Sequence, residues 1–396
     1  MATIQKRGNS YKITVSCGYD LTGKQIRRHK TFTPDKGMTE KQVEKAVQRE
    51  AVLFEESCKT GKAADGNVKF EAFTEQWFRE YAEPKLKKRS IDRYRQFTKR
   101  VYTAMGHLRM DKITTRSLQA FVMNLSEDGM NERTGGGLSA KTIKDYVSFV
   151  SSVFDYAVSQ GVISSNPCRG VSLPSIHQTD KDFYSLEETE RFLELLESES
   201  LNWRLFFTLA IYGGFRRGEL FGLEWKDIDF DSGVITINRT SNYTVTRGVF
   251  TDTPKTKGSR RSLKMPDCVM QLLRQYRSEQ AAARLQTGDQ WQESDRLFVS
   301  WNGKPMHPNR AQNWLTNFCN RTGMRHVNIH SFRHLNASLL INSGADIKTV
   351  SSALGHAQTT TTLNIYAHTF AAAQAKASEA VANALDFKKI RAINTK

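Results

Sequence analysis

The stretch Leu354-Gly-His-Ala-Gln-Thr-Thr-Thr-Thr-Leu-Asn-Ile-Tyr-Ala-His368 places His356 ten residues ahead of Tyr366. Imidazole and phenol side chains can both take part in acid–base or nucleophilic chemistry. A single tyrosine more often packs in a core, so the stretch gains meaning only from its neighbours. The nearest neighbour is His330-Ser-Phe-Arg-His-Leu-Asn336, whose first histidine and arginine lie three residues apart and therefore share one face of a predicted helix.

Two arginine- and lysine-rich motifs come earlier in the chain. In Gly213-Gly-Phe-Arg-Arg-Gly-Glu-Leu-Phe-Gly-Leu-Glu-Trp225, an arginine at the start of a helix can reach a phosphate, and Glu219 can hold its guanidinium. The second motif, Thr253 to Ser262, lies between two predicted strands. It is either an ordinary solvated loop or a hairpin tip that carries a lysine to a leaving oxygen. Its basic residues are Lys255, Lys257, Arg260 and Arg261.

The composition restricts the class of partner. The chain has 396 residues, enough for two or three domains, and it is 39% apolar and 25% charged, as globular proteins are. Its 58 Lys and Arg against 41 Asp and Glu leave a net charge of +17, which indicates a polyanionic partner such as nucleic acid. We find no apolar run near the roughly 20 residues that span a membrane and no signal peptide, so we expect a cytoplasmic protein without membrane contact.

Neither a disulfide framework nor a cysteine zinc site is predicted. The five cysteines are far apart and never form a CxxC motif. We also find no Walker-type phosphate loop and no acidic cluster typical of a two-metal nuclease. The sequence therefore predicts no metal and no cofactor.

The N-terminal segment, residues 1–62, predicts a small sheet followed by a helix. Alternating residues in Tyr11–Val15 and Gln25–Phe32 indicate strands, and Thr39-Glu-Lys-Gln42 has the form of a helix capping box. Residues 1–36 hold eight Lys or Arg against two Asp. We therefore expect the strands, and not the helix, to face an anion.

The second segment, residues 67–174, follows a small polar linker and predicts a helical bundle. The expected helices are an aromatic stripe from Phe70 to Tyr81, then 90–105, 115–125 and 139–160. Residues 85–100 carry eight basic side chains against the single acid Asp92. Such a run is either a solvated helix or a helix that contacts DNA phosphates. The predicted contacts are Lys85, Lys87, Lys88, Arg89, Arg93, Arg95, Lys99 and Arg100.

The third segment, residues 180–396, predicts a mixed but mainly helical domain that begins at the cap Ser185-Leu-Glu-Glu188. Helices are expected near 186–198, 202–212 and 217–223, strands near 234–239, 244–250 and 259–264, and helices from there to the end. The alanine-rich stretch Phe370–Leu385 predicts a helix that packs on its own domain or on a neighbouring subunit. The expected fold class is multidomain α+β with a small N-terminal sheet, a helical bundle and a small antiparallel sheet in the last domain.

The order Arg, Lys, HxxR, Gly-His, Tyr on a basic chain resembles the tyrosine recombinase, or phage integrase, family, most of all the integrases of temperate phages and conjugative transposons. The resemblance covers essentially the whole chain. It implies an arm-type DNA-binding domain in residues 1–62, a SAM-like core-binding domain in 67–174, and a catalytic domain in 180–396 that ends with an exchange helix.

Residue by residue, the resemblance also implies a catalytic set. Arg217 is the alternative to the first arginine and Lys257 the alternative to the lysine; Lys257 and Arg260 would otherwise contact DNA. Glu219 would support the first arginine. The implied catalytic residues are Arg216, Lys255, His330, Arg333, His356 and the nucleophile Tyr366.

In this family a tyrosine attacks the scissile phosphate and conserves the bond energy in a 3′-phosphotyrosine, so that neither ATP nor metal is required. The resemblance implies a site-specific recombinase that integrates and excises a mobile element through a Holliday junction. Its expected partners are double-stranded DNA with core and arm sites, three further copies of itself in a tetramer, and an accessory excisionase or DNA-bending protein.

Three other functions remain open from the sequence. A type IB topoisomerase-like enzyme would use the same nucleophile without synapsis, and a regulator would bind DNA without cleaving it. A metal-dependent nuclease would use His326, His330 and His334, which are spaced four residues apart. That spacing suits a helix, but we expect His326 to precede the helix start.

Overall fold

The computed structural model describes residues 2–19, 23, 25–35, 37–59, 67–176, 182–253, 260–367, 378–379 and 381. Lys255, Lys257 and nearly all of the predicted C-terminal helix therefore lie outside the described residues. The chain divides into two compact units, Met1–Gln178 and Thr179–Lys396. The division into three domains stays a prediction. No helix in the described part of the chain is long and apolar enough to span a membrane.

The first unit begins with an antiparallel sheet in the order β1 (Thr3–Arg7), β2 (Ser10–Tyr19) and β3 (Gln25–Phe32), followed by α1 (Glu40–Lys59). Strand β1 was not among the predicted segments. The alternation in β2 buries Ile13 and Val15, and α1 contributes buried Val47 and Ala51. The backbone N–H of Thr39 donates to the side chain of Gln42 at 3.0 Å, as the predicted capping motif requires.

The register gives the sheet a polar face opposite those apolar residues. Lys12 pairs with Gln5 on one side and Thr31 on the other, Thr14 pairs with His29, and Ser16 pairs with Arg27. Since paired residues point to the same side of a sheet, this face carries basic and small polar side chains. This face is named the open face of the sheet and comprises Thr3, Gln5, Arg7, Ser10, Lys12, Thr14, Ser16, Gln25, Arg27, His29 and Thr31.

The rest of the first unit is a helical bundle. Its helices are α2 (Phe70–Trp77), α3 (Glu83–Lys85), α4 (Lys88–Val101), α5 (Thr115–Leu125) and α6 (Ala140–Ser159). Turns of π-helix at Phe78–Ala82 and Tyr102–Gly106 extend α2 and α4. The core is rich in aromatic rings, among them Trp77 and Phe149, whose centroids lie 5.8 Å apart.

The second unit has helices α7 (Leu186–Leu196), α8 (Leu201–Gly213), α9 (Arg217–Leu220), α10 (Asp267–Thr287), α11 (Arg310–Thr322), α12 (Ile329–Asn342) and α13 (Ile347–Leu354). Residues 359–367 are also helical. Its strands are β4 (Ile228–Asp229), β5 (Val234–Ile237), β6 (Thr240–Thr244), β7 (Gly248–Asp252) and β8 (Arg261–Lys264). The main core of this unit is formed by buried side chains of α7, α8, β5, α10, α11 and α12. The predicted α+β class, mainly helical with small antiparallel sheets, is confirmed.

Two predictions about the strands of this unit were wrong. The expected single strand at 244–250 is instead the end of β6, a turn and the start of β7, because Gly248 takes a positive φ of 65° and reverses the chain. The lysine-rich loop was expected at the tip of a hairpin, but β7 pairs with β6 while β8 pairs with β5. The loop therefore connects two different sheets.

Candidate active site

Arg216 lies at the N-cap of α9, directly after the turn that ends α8. Gly214 ends α8 with a left-handed φ of 55°, and a Cβ there would stand 2.5 Å from the Asn336 side chain. The Arg216 guanidinium donates to Glu219 Oε1 at 2.7 Å and to the carbonyl of Gly355 at 3.2 Å. The predicted support by Glu219 is therefore present as a direct ion pair.

Glu219 is 1% exposed and lies between two arginines. Its second partner is Arg261 on β8, which donates to both carboxylate oxygens at 3.2 and 3.0 Å and to the carbonyl of Ala353 at 2.7 Å. Burial alone would raise the pKa of the Glu219 carboxyl, but Arg261 and Arg216 hold that pKa below its usual value. Sequence reasoning did not assign Arg261 a role in the site, and its only signal was its place at the end of the basic loop.

Removing the Glu219 charge is expected to destabilise the second unit strongly. In Glu219→Gln, the Arg261 side chain, which is 6% exposed, keeps its charge without a counter-ion. Losing one partner of a buried pair typically costs about 3–5 kcal/mol. Urea unfolding of the full chain measures this loss. Glu197→Gln is the control, because Glu197 pairs with Arg204 while 70% exposed, and such a pair contributes about 1 kcal/mol at most. Equal losses in the two variants would refute the expectation.

Arg333 is almost as deeply buried as Glu219, with 2% of the residue exposed. It lies on α12 and donates to the carbonyl of Gly214 at 2.8 Å and to the carbonyl of Leu354. Because Arg216 binds the next carbonyl, that of Gly355, the two guanidinium groups meet at the turn that ends α13. Burial and the charge of Arg216 lower the pKa of Arg333 to about 9, which still leaves it charged at neutral pH.

His356 follows that same turn, and its Nδ1 lies 2.8 Å from the hydroxyl of the buried Thr362. Burial and the charges of Arg333 and Arg216 lower the pKa of His356 to about 4. The imidazole is therefore neutral at physiological pH. If Nδ1 accepts from Thr362, the ring proton is on Nε2, where it can be donated to a substrate oxygen.

The pKa of His356 predicts a contribution to stability against pH. Between about 4 and 6.5 the unfolded chain binds a proton at this residue that the folded chain does not, so the folded state loses stability as the pH falls through that window. The contribution is at most about 1.4 kcal/mol per pH unit for one proton. His356→Gln should therefore have a shallower dependence of unfolding free energy on pH from 6.5 to 4.5. Urea titrations at several pH values check this, and parallel curves for the two proteins would contradict it.

Tyr366 lies on the helical segment 359–367 and is 3% exposed. Its ring packs in a small cluster with buried side chains of α12 and α13. Burial raises the pKa of the Tyr366 phenol to about 12, although the charge of Arg333 opposes that rise. The hydroxyl lies 2.6 Å from His334 Nδ1. Sequence reasoning considered His334 only as a metal ligand, although its position directly after Arg333 was visible.

The histidines of α12 do not match the metal-site hypothesis. His330 is exposed in the first turn of α12, and its ring lies 4.8 Å from that of the buried His334. His326 precedes the helix, which begins at Ile329. In the part of the chain that the structure describes, no group of three His, Cys, Asp or Glu residues is placed to hold a metal.

The site therefore brings together two guanidinium groups, a neutral imidazole and a phenol around the turn 354–356. The ring of His330 lies 4.8 Å from that of His334, which in turn contacts the Tyr366 hydroxyl. Paired guanidinium groups match the oxygens of a phosphate, and a phenol can act as a nucleophile toward phosphorus. The set can bind a phosphodiester and exchange one of its esters.

In the basic run of the helical bundle, three arginines contact acidic side chains, and Arg93 among them is also exposed. Arg93 pairs with Asp145, Arg95 pairs with Glu75 and stacks 3.6 Å from the centre of the Phe78 ring, and Arg100 lies 3.7 Å from Glu132. Lys85 stands 4.8 Å over the ring of Tyr81, and Lys87 is half-buried. Lys88, Arg89 and Lys99 are exposed on α4, and Arg260 is exposed directly before β8.

Comparison with family models matches both units. The model of the phage integrase family matches residues 183–373, and the model described as the phage integrase N-terminal SAM-like domain matches residues 69–126. The site residues from Arg216 to Tyr366 all fall within the first match. The basic run of α4 falls within the second.

Several curated proteins are similar in sequence. The ICEBs1 integrase of Bacillus subtilis is 28% identical over 261 residues, which cover 66% of this chain and 68% of that protein. A tyrosine recombinase XerC-like protein of Caldanaerobacter subterraneus is 28% identical over 384 residues, which cover 90% of this chain and 92% of that protein. Similarity to the second protein thus extends over almost the whole length of both chains.

Solved structures with the same fold include two integrases bound to DNA. The Tn1549 transposon integrase in complex with transposon right end DNA has a TM-score of 0.64 at 22% identity and covers 79% of this chain and 99% of that one. A lambda integrase tetramer bound to a Holliday junction has a TM-score of 0.55 at 17% identity and covers 90% of this chain and 96% of that one.

Proposed function

The chain belongs to the phage integrase family of tyrosine recombinases, enzymes that cut and rejoin DNA, and we propose that it integrates and excises a mobile element with Tyr366 as nucleophile. The observation that carries this proposal is the meeting of Arg216, Arg333 and His356 at one turn, with Tyr366 on the next helical segment. These are the groups that a phosphodiester exchange requires.

In the proposed reaction the hydroxyl of Tyr366 attacks the scissile phosphorus, and a bond to the tyrosine oxygen replaces the bond to the 5′-oxygen of DNA. Arg216 and Arg333 neutralise the charge that develops on the non-bridging oxygens, and His330 and His356 donate hydrogen bonds to them. Lys255 protonates the departing 5′-oxygen. The product is a 3′-phosphotyrosine and a free 5′-hydroxyl, and the reverse reaction on a new strand completes the exchange.

We propose that the helical bundle grips the core site through a part of its basic run. Lys88, Arg89 and Lys99 are exposed on α4, whereas Arg93, Arg95 and Arg100 contact acidic side chains of the same bundle. Exposed cations can neutralise phosphates and release counter-ions. We assign the phosphate contacts to the exposed residues and a structural role to the paired ones.

This division predicts different salt dependences of DNA binding. Lys88→Gln, Arg89→Gln and Lys99→Gln should each weaken binding and reduce the slope of log affinity against log salt by about one. Arg95→Gln, whose parent side chain pairs with Glu75, is the matched control and should leave the slope nearly unchanged. Fluorescence anisotropy at several salt concentrations measures both. The assignment fails if Arg95→Gln lowers the slope as much as the other three.

We propose that the open face of the N-terminal sheet binds the separate arm sites. Arg7, Lys12, Arg27 and His29 share that face, while the other face of β2 is buried. A basic, slightly twisted sheet can lie along the DNA backbone, and binding two sites at once raises overall affinity through effective concentration.

We further propose that four copies act together on a Holliday junction in the bacterial cytosol, where the DNA substrate lies, with help from an accessory DNA-bending protein or excisionase. The lambda integrase with the same fold forms a tetramer on such a junction. Sedimentation of the full chain on a synthetic four-way junction, with an expected ratio of four chains to one junction, tests the assembly.

The test of the reaction uses nicked duplexes built from the ends of the element that carries this gene. In EDTA, the chain should form an adduct that survives a denaturing gel, and acid hydrolysis of the adduct should release phosphotyrosine. Exchange of strands between two duplexes would exclude a topoisomerase, which relaxes DNA without synapsis. Tight binding without an adduct would support a regulator, and cleavage only on addition of metal would refute the proposed chemistry.

A further inference from the structure

The hydroxyl of the proposed nucleophile contacts a side chain that the mechanism above does not use. Tyr366 Oη and His334 Nδ1 lie 2.6 Å apart, and the two ring centroids are 5.6 Å apart. Both residues are buried. When a buried phenol must react, a short contact with a buried imidazole can provide an acceptor for the phenol proton.

Attack on phosphorus requires the phenol to lose its proton. Burial raises the pKa of Tyr366 to about 12, so at neutral pH the side chain carries that proton almost entirely. An acceptor must lie within hydrogen-bond reach, about 2.6–3.2 Å, of the phenolic oxygen. His334 Nδ1 lies within this reach before any substrate binds, and it accepts from the phenol in the tautomer that carries the ring proton on Nε2.

The other histidines of the site are placed for different tasks. The Nδ1 of His356 contacts the hydroxyl of Thr362. His330 is exposed in the first turn of α12, and its ring lies beside that of His334. Within the described part of the chain, the Tyr366 hydroxyl forms its hydrogen bond with His334.

The position of His334 is also fixed by its neighbours. It follows Arg333, whose guanidinium is anchored on the carbonyls of Gly214 and Leu354. The titratable groups that contact it include His330 on its own helix and Tyr366 on segment 359–367. A helix held at this turn keeps the imidazole directed at the phenol.

We propose that His334 is the general base of the reaction and takes the proton of Tyr366 through Nδ1 as the tyrosine oxygen bonds to phosphorus. This inference rests on the proposed function. The Tyr366 O–H bond breaks as the new P–O bond forms, His334 becomes an imidazolium, and the bond from phosphorus to the 5′-oxygen breaks with a proton from Lys255. In the reverse step a 5′-hydroxyl attacks, its proton passes to Lys255, and the imidazolium returns its proton to the phenolate.

The closest test is His334→Asn, because the amide oxygen of Asn can still accept the hydrogen bond of the phenol but cannot take its proton. We expect adduct formation on nicked DNA to slow by about 10²–10³-fold while DNA binding is retained. The rate of the variant should rise with pH over a range in which the native rate is level. His326→Asn is the matched control, since His326 is exposed ahead of α12, and should react at the native rate.

A second variant and a second substrate keep the test decisive. His334→Ala leaves space beside the phenol, and added imidazole should restore part of its rate. On DNA with a sulfur in place of the scissile 5′-oxygen, the leaving group needs no proton, so the native chain should still lose rate at acid pH because the base becomes protonated. That loss should persist in His330→Gln.

The possible outcomes separate the two proposals. If His334→Asn reacts at the native rate or faster, the contact with His334 restrains Tyr366 and does not activate it. The assignment of His334 as the base is then wrong. If neither variant folds, the native chain on the sulfur substrate still tests the assignment of His334 as the base. A cleavage rate that does not fall at acid pH would overturn that assignment. An adduct that still forms in Tyr366→Phe would instead overturn the proposed function.

Discussion

Replacing Tyr366 by Phe is expected to abolish the covalent DNA adduct and leave DNA binding intact. The phenylalanine ring fills the same place in the cluster between α12 and α13, while the oxygen that would bond to phosphorus is lost. Removing a nucleophile costs on the order of 10⁵-fold or more in rate. Loss of the hydroxyl also removes its hydrogen bond with His334 Nδ1, and one hydrogen bond contributes about 0.5–1.5 kcal/mol of stability.

The measurement is a denaturing gel of the protein with nicked DNA, beside a gel shift of the same samples. Tyr212→Phe is the matched control, because this tyrosine is exposed on α8 and its loss should change neither result. An adduct of normal yield in Tyr366→Phe would show that another side chain is the nucleophile. Loss of both adduct and binding would instead indicate that the variant is unfolded, which circular dichroism checks.

Replacing Arg333 by Lys is expected to slow DNA cleavage by about 10³-fold even though the positive charge is retained. The planar guanidinium of Arg333 donates to two carbonyls, those of Gly214 and Leu354, from a site with 2% exposure. A lysine ammonium is a compact point charge and cannot match two fixed acceptors and a phosphate together. The variant should also unfold more easily, by about 1–3 kcal/mol, since one buried carbonyl loses its donor.

Single-turnover cleavage and urea unfolding of the full chain measure the two effects of Arg333→Lys. Arg321→Lys is the matched control, because Arg321 pairs with Glu199 at the surface with 60% of its side chain exposed. Cleavage by Arg333→Lys within a few-fold of the native rate would mean that charge alone is sufficient at this position. The geometric role of the guanidinium would then be excluded.

The sequence predicted much of the fold, because the signals for its helices are local. The capping box of Ser185 and Glu188 begins α7, and the aromatic stripe from Phe70 marks α2. Such signals depend on neighbours three or four residues away, which a sequence displays directly. The strand expected at 244–250 failed because alternation does not distinguish one strand from a tight hairpin when a glycine permits the reversal.

The family resemblance was also available from the sequence and is confirmed by the models that match both units. It was carried by the order and spacing of a few chemically distinctive residues. The same information could not show which basic residues of α4 are paired. Arg95, for example, forms an ion pair with Glu75. Glu75 lies on another helix and is remote from Arg95 in sequence, so the sequence alone does not reveal this pair.

The sequence by itself determined the helices, the basic character and the identities of the reactive groups, since these depend on local pattern and residue type. Only the tertiary structure decided that Glu219 is shared by Arg216 and Arg261, that Arg333 is anchored on two carbonyls, and that His334 contacts Tyr366. Several of these contacts join residues that are far apart in the chain. They exist only after the cores have packed, because burial then selects which charges are paired and which proton can move.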